Sequence, residues 1–519
     1  MKALKLKDIQ IGSIDAKNEL LTGSEEEIEF FRKGFCLPPN IVFEDFLNSK
    51  KYFVTGLKGI GKTALLRFIA LEAERILKAS TSFILFKSDI KDQDRKNICR
   101  ASRVEIIDKN IDDYPDTDYE VVWKWFIHRK IIETIQECKI NIFLEDHNYR
   151  KYEGCVMAPK LEEKASGISR LIPNLIKGSI EISQTPKLGI DFDWEDKDKT
   201  RVKFFSLAKQ ADELFSKLIP SKGYLFMFID ELELSLGSQK QYKRDAGLIR
   251  DLIIAVEQIN SAAKKNKSNL TVFAGIRSEV LLAIESVGKE INKIISDFGS
   301  QIVWHQSGSD NENHPLLNII TQRIGISKKV NASISNLSRS DIWNKYFPQK
   351  IQNIKSEKYI LHNSWYRPRD MIRLLNLARD QFPEVRGFTQ RVFDGTRKQY
   401  SQESWTELAE ELIVKYNKNA IAGIQQIFNG YRRTFQYDDL RSHIEKRSKL
   451  YPAIEALLKS RQIGGILSDL YNVGFIGNVI YAGKRTNDAK MRFSFRGDPN
   501  IILEEHLTIH KGLYSFFTL

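Results

Sequence analysis

The stretch YFVTGLKGIGKTALLRF, residues 52–68, decides the fold of the core. Within it, residues 56–63 fit the pattern G-x-x-x-x-G-K-[ST] at every fixed position. Residues 52–55 are aromatic or β-branched, as in a strand, and residues 64–72 are strong helix formers with apolar positions at helical spacing. Strand, glycine-rich loop and helix in this order predict a phosphate-binding loop (P-loop) rather than a chance turn before a helix.

The residue types of this loop suit the chemistry of phosphates. Glycines let successive N–H groups point inward, and the following helix adds its positive end. Lys62 would neutralise the β- and γ-phosphates, and the Thr63 hydroxyl would bind Mg²⁺. The loop residues expected to contact the nucleotide are Gly56, Lys58, Gly59, Ile60, Gly61, Lys62, Thr63 and Ala64.

A second motif follows an unbroken apolar run, residues 223–229, which is typical of a strand buried on both faces of a parallel sheet. The run ends in Asp230-Glu231-Leu232-Glu233, a Walker B pattern. Asp230 would hold Mg²⁺ together with Thr63 and water. Glu231 would polarise a water for attack on the γ-phosphate, with Glu233 as a reserve base. Alone, the segment could equally be a buried strand that runs into a charged helix start; beside a P-loop, it indicates hydrolysis.

Four arginines are candidates for contact with phosphate. Arg277 closes an apolar strand, residues 270–276, and could sense the γ-phosphate, because a guanidinium pairs bidentately with phosphate oxygens; the alternative is an exposed arginine at a helix start. Arg367 and Arg369 flank a proline that marks a helix start, with or without a phosphate contact. Arg323 could be an arginine finger for a neighbouring subunit, but we expect an ordinary surface arginine. The predicted catalytic residues are Glu231, Arg277 and Lys62.

Composition bounds the remaining possibilities. The 519 residues suggest two to four domains, and the net charge of +13 permits anionic partners or merely a lysine-rich solvated surface. No segment approaches the roughly 18 consecutive apolar residues of a membrane span, and the N-terminal residues lack the apolar run of a signal peptide. We therefore expect a cytoplasmic protein without a membrane partner. The four cysteines and eight histidines show neither disulfide nor zinc spacing.

The order of elements predicts an α/β fold: a parallel-sheet P-loop NTPase core with a large insertion, followed by a helical lid and a C-terminal winged-helix-like domain. The predicted parts are an N-terminal strap at 1–49, the core at 50–345 with the insertion at about 95–200, the lid at 346–430 and the winged-helix-like domain at 431–519. The insertion follows from the distance between Thr63 and the acidic strand, which far exceeds the roughly 30 residues of one βαβ unit.

Several further elements are predicted from periodicity. They are strands at 82–86 and 301–304, helices at 119–138 and 314–323, and a hairpin at 178–194. We interpret the aromatic residues of the helix at 119–138 as core packing. The sequence assigns the insertion no function.

The C-terminal region reads as helices at 438–450, 451–460 and 466–473, followed by two strands around a turn at 482–487. The second strand would alternate an apolar face with a basic one, formed by Met491, Phe493 and Phe495 and by Arg492, Ser494 and Arg496. With Lys484, Arg485 and Lys490, this wing would form a basic edge. The helix at 466–473 contains no Lys or Arg, which argues against base readout. We favour a regulatory or protein-contact role over DNA contact.

Taken together, these elements resemble the AAA+ and STAND ATPases, especially the origin-recognition-like and NACHT-like branches. The segments GSIDAKNE, GLKGIGKTALLR, FIDELE and RPRDMIRLLN look like a family of bacterial P-loop ATPases, and some neighbours in that class act in defence against phages. The resemblance implies that Arg277 contacts the γ-phosphate, that residues 367–369 lie near the adenine and that residues 11–19 form a strap against the base.

The leading interpretation is a molecular-switch ATPase that binds MgATP between core and lid and couples nucleotide state to assembly or partner release. The alternative is a nucleotide-dependent DNA-binding or scaffold protein with little turnover. A small-molecule kinase is disfavoured by Glu231. The cofactors would be ATP and Mg²⁺, because no guanine-reading N-K-x-D motif stands out. Possible partners are further copies of the chain through the ATPase domain, DNA at the wing and an unknown protein effector.

Overall fold

The structure is a computed structural model that describes residues 3–90, 95, 98, 119–159, 179–181, 201–234, 239–285, 290–305, 313–327, 338–413, 415–481, 489–498 and 500–519. The chain forms two compact units. The core unit contains residues 41–58 and 62–302, and the arginine-helix unit contains residues 1–40, 59–61 and 303–519. The predicted division into four parts stays a prediction. Within the described ranges, no helix has both the length and the apolar character needed to cross a bilayer.

The core unit is built on a five-stranded parallel sheet. Its strands are β1 (Phe53–Gly56), β2 (Ser80–Leu85), β5 (Leu225–Leu232), β6 (Leu270–Arg277) and β7 (Gly299–Gln301), and a separate hairpin consists of β3 (Ser179–Glu181) and β4 (Arg201–Lys203). The order across the sheet is β2-β5-β6-β1-β7, and every neighbouring pair is parallel. The α/β fold class with a parallel-sheet P-loop core is thereby confirmed.

The sheet order brings the predicted motifs together at the carboxyl ends of the strands. Nearly all residues of β1, β5 and β6 are buried, as expected when helices cover both faces of a parallel sheet. Since β6 lies between β1 and β5, its terminal Arg277 comes between the start of the P-loop and the acidic end of β5. The carboxyl ends of parallel strands are the usual position of ligand sites in such sheets.

Helices surround the sheet. The described helices of the core unit include Phe43–Leu47, Lys62–Leu77, Phe86–Asp89, Glu120–Cys138, His147–Met157, Phe204–Phe215, Gln239–Lys265, Ser278–Glu285 and Asn292–Phe298. The aromatic side chains Trp123, Trp125 and Phe126 are buried, so their interpretation as core packing is confirmed.

Two predicted elements differ from the structure. The strand predicted at 301–304 is β7, which begins at Gly299 and ends at Gln301. Glycine is depleted in strands, so the sequence did not indicate that the strand begins at Gly299. At this position a Cβ would lie 2.3 Å from the Ile295 carbonyl oxygen. In the predicted hairpin, β3 pairs with β4 at Arg201–Lys203, and residues 182–194 lie outside the described ranges.

The arginine-helix unit is mainly helical. Its α-helices are Glu25–Gly34, Leu317–Gly325, Arg339–Tyr346, Ser356–Asn363, Pro368–Gln381, Gln390–Leu412, Lys418–Phe428, Tyr437–Ser448, Pro452–Ser460 and Ile463–Asn472. Short 3₁₀ helices lie at Leu6–Asp8, Ala16–Leu20, Ser494–Arg496 and Lys511–Leu513. The helix predicted at 314–323 runs from Leu317 to Gly325.

The N-terminal segment is anchored within this unit by polar contacts. The Asn376 side chain donates to the Gly12 carbonyl oxygen at 2.9 Å. Arg323 is only 5% exposed; it pairs with Glu19 at 2.6 Å and donates to the Gly34 carbonyl oxygen at 3.1 Å. The expectation that Arg323 is a surface arginine is therefore wrong, and its burial also argues against an arginine finger. Its partner is 304 residues away in sequence, so no local pattern could reveal the pair.

The C-terminal part of this unit ends in an antiparallel sheet. The strands β10 (Thr434–Phe435), β11 (Ile476–Tyr481), β12 (Ala489–Arg492) and β13 (His506–Ile509) follow the order β10-β13-β11-β12, and a two-stranded ribbon pairs β8 (Lys350–Ile351) with β9 (Ile354–Lys355). The predicted helices are present at Tyr437–Ser448, Pro452–Ser460 and Ile463–Asn472. Helices followed by a hairpin match the expectation, and the winged-helix assignment stays a prediction.

The predicted second wing strand is wrong beyond Arg492. The chain leaves the sheet there and forms the 3₁₀ turn Ser494–Arg496, because the Phe493 and Phe495 rings stack on each other in the interior, 4.9 Å between centroids. Arg492 pairs with Asp498 at 2.9 Å, and the Arg496 guanidinium lies 4.9 Å from the centre of the Tyr366 ring. Residues 482–488, including Lys484 and Arg485, lie outside the described ranges, as does the side chain of Lys490.

The helix Gln390–Leu412 packs against the C-terminal residues of the arginine-helix unit. Its Trp405 packs against the rings of Phe475, Phe516 and Phe517, with centroids 5.1–6.1 Å apart. The Ser401 hydroxyl accepts the Phe516 N–H at 2.9 Å. One side of this helix is therefore fixed to the C-terminal residues of the chain.

Candidate functional site

The start of the P-loop and the acidic end of β5 meet in the core unit. Lys62 is only 9% exposed, and its ammonium donates to the carbonyl oxygens of Gly56 and Leu57, at 2.8 and 2.9 Å. Lys62 and Thr63 open the helix Lys62–Leu77, with Ala64 in its first turn, so the helix N-terminus faces the end of β1. This is the strand, loop and helix arrangement that binds phosphate.

The buried carboxylate of Asp230 lies beside the P-loop helix. Burial raises the pKa of Asp230, while hydrogen bonds from Thr63 and the Glu231 backbone and the charge of Lys62 act against that rise. Its Oδ2 atom is buried and has no hydrogen-bond partner in the described part of the chain. An oxygen withdrawn from water and without a donor is suited to a cation. Thr63 and Asp230 thus fit Mg²⁺, which commonly takes one or two protein ligands and completes its shell with phosphate oxygens and waters.

Glu231 is held in an unusual backbone conformation. Its φ is +58°, in the left-handed region, and the register between β5 and β6 shifts between Ile229 and Leu232. A non-glycine residue at positive φ costs about 1–2 kcal/mol, and such conformations cluster at functional sites. The Ser88 hydroxyl donates to the Glu231 carboxylate at 2.7 Å. The bulge and this hydrogen bond fix the direction of the carboxylate.

Glu233 is surrounded by positive charge. It forms ion pairs with Arg277 and with Lys87, the latter at 2.9 Å. Burial alone would raise the pKa of Glu233, but the charges of Arg277, Lys87 and Lys58 outweigh burial and lower it. A carboxylate with a lowered pKa is a weaker base. The arrangement therefore favours Glu231 over Glu233 for water activation, and it gives Arg277 an acidic partner that the sequence did not reveal.

Gly275 in β6 is a further residue that motif analysis missed. A Cβ at this position would lie 2.9 Å from Asp230 Oδ1 and 3.0 Å from Leu66 Cδ1. The glycine therefore leaves room for the Asp230 carboxylate against the P-loop helix. Glycine inside a buried strand often marks a close approach of this kind, and that was the available signal.

The tip of the loop, residues 59–61, belongs to the arginine-helix unit. Gly59 and Gly61 have φ values of +75° and +109°, which residues with a Cβ rarely adopt. The Trp304 indole N–H donates to the Ile60 carbonyl oxygen at 2.9 Å, and the Arg369 N–H donates to the Gly59 carbonyl oxygen at 3.3 Å. Two hydrogen bonds to its carbonyl oxygens, one from a side chain and one from the backbone, thus hold the loop tip.

The predicted arginine pair lies at this loop tip. A Cβ on Gly59 would be 3.2 Å from Arg369 Cβ and 3.8 Å from Arg367 Cδ. The helix begins at Pro368, as the sequence predicted. Arg369 pairs with Glu407 at 3.0 Å, and the Arg367 guanidinium lies 3.9 Å from Glu411. Neither glutamate belongs to a sequence motif.

The segment before the arginine pair is strained. Trp365 and Tyr366 have φ values of +48° and +51°, two consecutive aromatic residues in the left-handed region. The Trp365 indole N–H donates to the Gly474 carbonyl oxygen at 2.8 Å, and its ring stacks on His510 with centroids 3.8 Å apart. Contacts with the C-terminal part of the unit hold this conformation.

Comparison with known proteins gives limited matches. Residues 315–409, less than half of the chain, match the model of the FunZ-associated C-terminal helical domain. This segment includes Arg367, Arg369 and Glu407. No curated protein matches the chain. Among solved structures, the chain is similar to Cdc6p from Pyrobaculum aerophilum, with 10% identity, coverage of 95% of this chain and 94% of that one, and a TM-score of 0.32. A likeness at this level transfers no activity.

Proposed function

We propose that the protein is an ATP-binding and ATP-hydrolysing molecular switch. The observation that carries this proposal is the buried Asp230 carboxylate beside Thr63, with one oxygen that lacks a donor in the described part of the chain. A buried anionic oxygen of this kind, next to a P-loop lysine, is suited to a metal–nucleotide complex. The preference for ATP over GTP rests on the sequence.

Each proposed catalytic residue has a separate task. Lys62 and the loop N–H groups bind the phosphates. Mg²⁺, when bound by Thr63 and Asp230, supplies charge neutralisation at the phosphate oxygens. Glu231 accepts a proton from the attacking water, in the direction set by its hydrogen bond from Ser88. Arg277 exchanges Glu233 for the γ-phosphate, so that phosphate state changes an ion pair in the core unit.

The test is phosphate release from MgATP by the purified protein, together with equilibrium binding. Lys62→Ala should abolish binding, whereas Glu231→Gln should bind ATP and lose turnover by about 100-fold or more, the usual range for a general base. Lys264→Ala, at an exposed position in the same unit, is the matched control and should behave as the wild type. Wild-type protein that binds ATP and releases no phosphate would remove the hydrolytic role of Glu231.

The proposal also includes the binding partners and the biological role of the protein. Self-association and DNA contact at the wing rest on the resemblance and on charge; Arg492 and Arg496 already have internal partners, which counts against a strong DNA site. Adding duplex DNA to the phosphate-release assay, over a series of salt concentrations, tests DNA contact. A defence role rests on the resemblance alone, and phage plating on cells that express wild-type protein or Lys62→Ala tests it.

A further inference from the structure

Two glutamates of the helix Gln390–Leu412 face the arginine pair. Glu407 and Glu411 are four residues apart, so they lie on the same side of the helix. Glu407 contacts Arg369 at 3.0 Å and also pairs with Arg373. Glu411 lies 3.9 Å from Arg367. Each arginine that flanks the proline therefore has an acidic neighbour from one helix.

The charges of this cluster balance. Three arginines at 367, 369 and 373 face three carboxylates at 370, 407 and 411, and Arg373 also pairs with Asp370 at 3.0 Å. All of these side chains are at most 23% exposed, so solvent screens them less than it screens a surface pair. A phosphate group that approaches the arginines meets a cluster with no net positive charge.

The backbone of Arg369 is already at the loop tip, through its hydrogen bond to the Gly59 carbonyl oxygen. Only the side chain has to change partner for the guanidinium to bind a phosphate. A guanidinium has five N–H donors in a planar fork, and Nη1 of Arg369 donates to the Glu407 carboxylate at 3.0 Å. Glu407 thus orients Arg369 and also opposes any anion that it would bind.

We propose that Glu407 is a positioning and specificity-determining residue: it holds Arg369 at the loop tip and competes with nucleotide phosphate for its guanidinium. Glu411 does the same for Arg367, more weakly because of its longer distance. This inference rests on the proposed nucleotide site. Since attraction grows with the charge of the ligand, the competition weakens ATP binding more than ADP binding.

The experiment is titration calorimetry with MgATP and MgADP. Glu407→Gln keeps the shape of the side chain and removes its charge; it should bind MgATP about fivefold more tightly, as expected for a partly screened pair, with a smaller gain for MgADP. Glu407→Asp retains the charge and should stay near the wild-type value. The gain should vanish in Glu407→Gln/Arg369→Ala, because it acts through that guanidinium.

The matched control is Asp394→Asn in the same helix. It also removes one carboxylate and breaks an ion pair with an arginine, Arg397, but about 20 Å further along the helix. Its nucleotide affinities should equal those of the wild type.

A purely structural role for Glu407 predicts the opposite result. Weaker or unchanged MgATP binding by folded Glu407→Gln overturns the inference, and the proposed function survives if the wild type binds MgATP and Lys62→Ala does not. If the wild type itself binds no MgATP, both fail. If Glu407→Gln does not fold, Glu411→Gln decides: tighter MgATP binding supports the inference, and unchanged or weaker binding overturns it.

Discussion

The acidic end of β5 and the start of the helix Pro368–Gln381 both carry an arginine in an ion pair, but the glutamate partner comes from a different kind of element in each. At each place an arginine proposed to contact phosphate is paired with a glutamate: Arg277 with Glu233, and Arg369 with Glu407. At the strand end, Glu233 belongs to the same short motif as Asp230, the proposed metal ligand, and Glu231, the proposed base. At the helix start, Glu407 comes from a separate helix with no motif. A motif therefore identifies the residue type, whereas the ion-pair partner of that residue depends on the fold.

The largest expected effect is on the Mg²⁺ dependence of turnover, which should differ between a substitution at the end of β5 and one at the start of the helix Pro368–Gln381. Asp230→Asn removes the buried anionic oxygen, and turnover should fall about 100-fold at limiting Mg²⁺. Asp370→Asn alters a similarly buried carboxylate at the helix start and should leave the Mg²⁺ dependence unchanged. Phosphate release measured over a series of Mg²⁺ concentrations checks both. A shift of the Mg²⁺ dependence in Asp370→Asn but not in Asp230→Asn would contradict the role of Asp230 as metal ligand.

The next effect concerns the space beside Asp230. Gly275→Ala places a Cβ 2.9 Å from Asp230 Oδ1, so the carboxylate or Leu66 must move, and the free energy of unfolding should fall by about 2 kcal/mol. Gly325→Ala is the control, because its Cβ would make an ordinary 3.7 Å contact with Ile342. Urea denaturation measures both variants. Equal stability of the two would show that the packing around Asp230 yields easily.

A smaller effect distinguishes the two glutamates of the strand end. Glu233→Gln should keep at least about a tenth of the wild-type turnover, because the positive charges that lower the pKa of Glu233 make it a weak base. Glu231→Gln, by contrast, should be nearly inactive. Phosphate release at saturating MgATP provides the measurement. If the two variants were equally inactive, Glu233 would take over the role of the base.

The smallest effect tests the backbone at Glu231. Alanine and glycine both remove the carboxylate, but only glycine adopts a φ of +58° without strain. Glu231→Gly should therefore be more stable than Glu231→Ala by about 1 kcal/mol, in reverse of the order expected in an ordinary strand. Thermal unfolding of the pair gives the answer, and the usual order would mean that the bulge relaxes when the side chain is removed.

Contiguous patterns predicted the part of the fold that depends on local sequence. The P-loop, the buried strands that contain Asp230 and Arg277 and the helix start at Pro368 each depend on about ten consecutive residues. Their hydrophobic runs and turn residues act over that same range, so the α/β core could be predicted.

The missed features depend on long-range contacts. Arg323 pairs with Glu19, 304 residues away in sequence, and Arg369 pairs with Glu407, 38 residues away. An arginine has the same local pattern whether it is buried in an ion pair or exposed on a helix, so the sequence could not distinguish these states. The prediction of the second wing strand was wrong beyond Arg492 for a related reason. The alternation through Phe493 and Phe495 fits a strand, but the two rings pack on each other in the interior.

The helix Gln390–Leu412 carries a consequence for the evolution of the chain. Residues two positions apart on a helix point in roughly opposite directions, so Trp405 faces the aromatic rings near the C-terminal residues while Glu407 faces the arginines. A smaller residue at 405 would let the helix turn about its axis and carry Glu407 with it. In related sequences we therefore expect covariation between the aromatic positions 405, 475 and 517 and the charged positions 369 and 407, although the two groups face opposite sides of the helix.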